Sequence, residues 1–110
     1  MNIKGGDYMF YVIYKENDNL KTDFMNNQDF IQKFLFSAGA ALIKFIDLSI
    51  SEKDYISRKN HVRDIAIEYQ NLFIDGFNMS YGDLFGFSAY FEKQAKKYGL
   101  VHEFKENGII

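Results

Sequence analysis

Apolar positions change their spacing along this chain, and each change marks an element. Tyr8-Met9-Phe10-Tyr11-Val12-Ile13-Tyr14 runs without a polar break. It is dense in aromatic and β-branched residues, which predicts a strand covered on both faces. Gly5-Gly6-Asp7 before it is a turn signal at the end of a loose lead-in. Lys15 to Asn19 makes a polar loop of hairpin length, and Leu20 to Phe24 is a weaker returning strand.

From Asn27 the spacing turns helical. Asn27 suits a cap ahead of Gln28 and Asp29, the acidic side chain falling in the first turn where the helix dipole favours it. Ile31, Phe34, Leu35, Ala38, Leu42, Phe45 and Ile46 recur at helical intervals, while Phe30, Phe36, Ala41 and Ile43 fill much of the remaining circumference. A helix apolar nearly all round belongs in the middle of a fold, so this first helix is expected to be central. The Ser37-Ala38-Gly39-Ala40-Ala41 run would leave it one shallow side.

Ser51 and Asp54 have the spacing of an acidic capping box. Tyr55, Val62, Ala66, Tyr69 and Phe73 follow on one stripe of a second helix, flanked by Ile65 and Leu72 and stopped by Gly76. Ser80 and Asp83 repeat the capping pattern for a third helix, with Leu84, Phe87, Ser88, Phe91, Ala95 and Tyr98 on one face. Lys96 and Lys97 in its last turn, then Gly99 and Leu100, match a left-handed glycine terminus. Leu100 to Phe104 fits a strand or one more helical turn, and Asn107-Gly108 fits a C-cap or a simple end. These elements predict one α+β domain over residues 1–110, mainly helical. An N-terminal strand or hairpin is followed by three helices with the first central. An all-α bundle is the alternative.

Composition narrows the function classes. At 110 residues the chain can bury a core without staples, and 47% apolar with 25% charged residues is ordinary for a globular fold. The absence of cysteine excludes disulfides, thiolate metal sites and a cysteine nucleophile. Lys4 is the only charged side chain before Asp7, and the apolar run that follows is too short and aromatic for a signal peptide. The longest apolar stretch, Phe34 to Ile43, is about half a membrane span. A cytoplasmic protein with no membrane partner is expected. Twelve Phe and eight Tyr fit either an AT-rich codon bias or aromatic surface that meets a partner.

Candidate chemistry is sparse. His61, Asp64 and Glu68 fall near one another on the second helix, but no other helix offers a matching carboxylate–histidine set. No metal and no cofactor are expected. Gly86-Phe87-Ser88 is only part of a nucleophile elbow, and Ser88 sits on the predicted core stripe. A small enzyme with a dispersed carboxylate site therefore ranks third among the functions considered. The second and third helices have a helix-turn-helix outline, yet the third begins Tyr81-Gly82-Asp83-Leu84-Phe85, acidic and aromatic where base-reading residues would stand. Arg58, Lys59, Lys93, Lys96 and Lys97 form the candidate basic patch. With a formal net charge of −2, a nucleic-acid accessory role is the runner-up.

Positive evidence favours a non-catalytic protein-binding module of adaptor, immunity or inhibitor type. Ile56, Ile67 and Ile74, spaced 11 and 7 apart, stack on a second line about a third of a turn from the main stripe, with Arg63 among them. Phe85 and Tyr90 lie off the core stripe of the third helix, on opposite flanks. These six residues are the expected interface, with another protein or with a second copy of the chain.

Overall fold

The computed structural model describes residues 10–35 and 39–110. The Gly5-Gly6-Asp7 turn, Tyr8 and Met9 of the first strand, and Phe36, Ser37 and Ala38 lie outside the described residues. Helix accounts for 54% of the described residues and strand for 22%, so the fold is α+β and mainly helical. Two compact units divide the chain after Ser49.

The first unit is a three-stranded antiparallel sheet with one short helix. β1 (Phe10–Glu16) and β2 (Asn19–Met25) form a hairpin in which Tyr11 faces Phe24 and Glu16 faces Asn19. Asn17 and Asp18 make the turn, with φ of 53° and 62°. Two consecutive left-handed residues define a type I′ turn, whose twist matches that of the strands. The hairpin is thus tighter than the five-residue loop expected from polarity, because Lys15, Glu16 and Asn19 are polar strand residues.

β1 lies between β2 and β3 (Ala40–Asp47). Val12, Tyr14 and Met25 form a buried cluster on one sheet face, packed by Phe10, Phe30, Phe34 and Ala40. Tyr11, Ile13 and Ile46 of the other face are also buried, so β1 is covered on both sides as its composition predicts. The register of β1 with β3 shifts between Ile13 and Tyr14, which pair with Lys44 and Leu42 and leave Ile43 as the extra residue. Such a bulge twists an edge strand away from further pairing.

The central first helix is overturned. α1 (Asn27–Leu35) has nine residues and none of them is buried. Ala40 to Asp47, expected to continue it, is β3. Leu42 and Phe45, opposite Tyr14 and Val12, lie on one strand face and Ile46, opposite Tyr11, on the other, so apolar residues occupy both faces, alternation is invisible and the run mimics a buried helix. Hydrogen bonding to the open edge of β1 decides the matter against the helix preference of Ala40 and Ala41. Asn26, not Asn27, caps α1: its Oδ1 accepts the Asp29 backbone N–H at 2.8 Å.

The second unit holds α2 (Tyr55–Ile74), α3 (Tyr81–Tyr98) and α4 (Val101–Glu106). Asp54 itself caps α2, accepting the Ser57 backbone N–H at 2.7 Å and the Ser57 hydroxyl at 2.9 Å. Ser51 takes no part in the cap. Ser80 caps α3 through the Asp83 backbone N–H at 3.2 Å, and Gly99 ends it at φ 69°. The Leu100 N–H then reaches back to the Ala95 carbonyl at 2.9 Å and the Leu100 side chain is buried, which completes a Schellman terminus. The tail resolves in the same way. Leu100 to Phe104 enters helix α4, and Asn107-Gly108 is its C-cap, closed by Ile109 N–H on the Phe104 carbonyl at 2.8 Å.

Val62, Ile65, Ala66, Tyr69 and Leu72 of α2 and Phe87, Phe91, Ala95 and Tyr98 of α3 are buried. The Tyr69 ring is tilted against Phe87 at 4.6 Å and edge-on to Phe91 at 5.2 Å, and Phe104 of α4 meets Phe91 edge-on at 5.8 Å. Tyr55 and Tyr98 touch at the other end, so α2 and α3 run antiparallel. Ser88, expected on the core face, is exposed. Leu84, Phe87 and Phe91 already span the contact, and Ser88 falls just past its edge.

Candidate protein-interaction surface

Three sectors run along α2. One faces α3 and one faces α4. The third carries Ile56, Ile67 and Ile74, which are 62%, 53% and 78% exposed. The expected line of isoleucines therefore exists and is open, since the core already takes the opposite face of the helix.

Arg63 lies between the open sector and α4. Its Nε and Nη2 donate to the two carboxylate oxygens of Glu103, each at 2.9 Å, and its Nη1 donates to Asn60 Oδ1 at 2.9 Å. The Arg63 guanidinium holds the Glu103 carboxyl below the usual carboxylate range, helped by the charge of Lys59. Two turns further on, Gln70 Nε2 donates to the Asn107 carbonyl at 3.1 Å. These bonds pin α4 against α2. Between the helices lies a groove of about 240 Å³, with Ala66, Ile67, Phe104 and Ile109 as its apolar lining. Arg63, expected among the interface residues, is a fixed bridge beside the row.

The other expected interface residues separate. Phe85 is 79% exposed on α3. Tyr90 is half-buried, its ring edge-on to Phe91 at 5.2 Å, so it belongs partly to the core. Sequence patterning missed Tyr81, 90% exposed and one turn before Phe85. Its position in a cap-adjacent turn concealed it, although the i,i+4 spacing of two aromatics was a usable signal.

The candidate basic residues have different surroundings. Arg58 Nη1 is committed to the backbone carbonyls of Glu52 and Lys53 at 3.0 and 2.7 Å. A Cβ placed on Gly99 would lie 3.9 Å from Lys59 Nζ, so Lys59 sits at the C-terminal end of α3 beside the turn that carries Lys96 and Lys97. Cations there offset the helix dipole. Lys97 also lies over the Tyr98 ring at 5.6 Å, and Lys93 is exposed.

His61 Nδ1 is 2.8 Å from Glu52, and His102 Nε2 is 2.9 Å from Glu106. His61 thus turns to the segment before α2 and away from Asp64 and Glu68. Among the described residues no three His, Asp or Glu side chains converge as a metal set, and no helix is long and apolar enough to cross a membrane. No protein-family model, curated protein or solved structure matches the chain.

Proposed function

We propose that the chain is a non-catalytic protein-binding module whose contact surface is the outer face of α2, extended by the exposed aromatics at the start of α3. The row Ile56, Ile67 and Ile74 carries this reading. Each forgoes roughly 1.5–3 kcal/mol of the stabilisation that full burial would give, and an aligned row is the arrangement that a partner helix covers at once. Arg63 adds directional donors beside the row, already oriented by Glu103, so little order is lost on binding. A small adaptor, immunity or inhibitor-type protein of a reducing, cytoplasmic setting fits this surface and the cysteine-free composition.

A nucleic-acid role draws less support, because Arg58 is spent on backbone carbonyls and Lys59 on a helix end. The test is Ile67→Lys. Association should be lost while the circular dichroism spectrum and melting temperature stay near those of the parent chain. Unfolding of the variant would show that Ile67 serves the monomer's own core, and the reading would fall.

A further inference from the structure

The open row on α2 is part of a longer pattern. Ile56, Asn60, Arg63, Ile67, Gln70 and Ile74 follow one another at alternating steps of four and three, the spacing of a coiled-coil seam. The three isoleucines and Asn60 are exposed, and Arg63 and Gln70 are half-buried beside α4. The seam has isoleucine at both ends and, between them, three polar residues and Ile67, a pattern that discriminates between partner helices.

We infer that this seam pairs with the same seam of a second copy of the chain, antiparallel, with the two-fold axis at the height of Ile65. This rests on the reading of the outer α2 face as a binding surface and names its partner. The observation that selects the occupant is self-complementarity. In the antiparallel register Ile56 meets Ile74 of the second copy, Asn60 meets Gln70, and Arg63 lies across Ile67. Apolar layers fall on apolar layers at both ends, and amide falls on amide.

The amides also match in detail. Asn60 uses Oδ1 to accept from Arg63, leaving its amide N–H groups to donate. Gln70 uses Nε2 to donate to Asn107, leaving Oε1 to accept. Each is therefore the hydrogen-bond complement of the other across the axis. The stem of Arg63 supplies apolar cover for the opposing Ile67, and its charge is already paired with Glu103 inside its own chain. A parallel pair would instead stack Arg63 on Arg63 and present identical amides to each other, which is the worse arrangement.

One feature opposes the pair and makes it testable: Asp64, exposed on the flank of the seam next to the axis, approaches its own copy. Removing that repulsion should tighten association.

The chain has no cysteine, so engineered thiols are the only ones present. Ile56→Cys and Ile74→Cys are prepared separately, checked by circular dichroism, and oxidised alone and mixed. The mixture should cross-link, while Ile56→Cys alone should not, because two copies of that position stand about 27 Å apart in the antiparallel pair. Cross-linking of Ile56→Cys with itself would mean parallel pairing and overturn the inference. Should a cysteine variant misfold, sedimentation of Asp64→Asn in low salt decides: a dimer at least several-fold tighter than the parent supports the pair, and an unchanged monomer overturns it. A chain that stays monomeric, yet loses a captured partner on Ile67→Lys, would sink the self-pairing and leave the binding surface standing.

Discussion

Arg63 and Glu103, forty residues apart in sequence, meet through two parallel N–H···O bonds of 2.9 Å. The fork joins the short C-terminal helix to α2 beside the Gln70–Asn107 bond and the buried Phe104 and Ile109, and α4, with six residues, would not hold a helical conformation without such contacts. The geometry of the fork is bidentate, the arrangement that gives an exposed ion pair most of its worth.

Both side chains remain more than a third exposed, at 37% and 40%, so the pair is screened and its coupling energy is small. A double-mutant cycle of Arg63→Ala and Glu103→Ala, followed by urea denaturation, should give about 0.2–1 kcal/mol. A coupling of several kcal/mol would mean that the pair is desolvated, contrary to its exposure.

The same pair sets an acid limit on the docking of α4. Glu103 is held below its ordinary value in the folded chain by the Arg63 guanidinium. Its contribution is therefore complete above the unfolded value of about 4.3 and is lost as pH falls through the lower, folded value. An NMR titration of the Glu103 carboxyl carbon should show a midpoint below that of an ordinary glutamate, with the Phe104 and Asn107 amides following it. In Arg63→Ala the midpoint should return toward the usual range.

The boundaries of α3 yield a stability prediction. Ser80→Ala removes the acceptor for the Asp83 N–H and should cost about 1 kcal/mol. Gly99→Val should cost more, because φ of 69° is poorly tolerated by a β-branched residue. A Cβ at Gly99 meets Tyr55 and Lys59 atoms only at ordinary contact distance, so Gly99→Ala isolates the backbone strain. Chemical denaturation of these variants measures the losses.

These caps were legible because a serine–aspartate pair and a lysine–lysine–glycine end act locally, within one turn. β3 was not legible. Its apolar residues occupy both faces, and what makes Ala40 to Asp47 a strand is the open edge of β1 some thirty residues earlier. The row of isoleucines could be read from periodicity alone, whereas the role of Arg63 could not, because Glu103 reaches it only through the fold of α3 and α4. The turn at Asn17 and Asp18 fell between these cases. Its residues favour positive φ, but polar strand ends on either side hid its position.

That turn permits an improvement. Asp18 adopts φ of 62° with an ordinary side chain. Asp18→Gly creates Asn-Gly, the preferred pair for a type I′ turn, and should raise the stability of the folded chain by a few tenths to about 1 kcal/mol. A lower melting temperature would indicate that the Asp18 side chain stabilises the hairpin.

The division of α2 into a buried and an open face is tested most directly at two neighbouring positions. Leu72 is buried and Ile74 is exposed, two residues apart near the C-terminal end of the same helix. Leu72→Glu would place an unpaired carboxylate on the buried side of α2, one turn from Tyr69, whose phenol burial already pushes up. The cost of such a charge, added to the lost apolar burial, exceeds what a domain of this size can absorb, so this variant should be unfolded. Ile74→Glu replaces a residue that is already in water, four fifths of its surface open. Its melting temperature should stay within a few degrees of the parent's, apart from a small penalty for an acidic group near the helix C-terminus. Circular dichroism melts of the pair measure the contrast, and equal destabilisation by both would place Ile74 in the core and remove the outer face on which the binding surface depends.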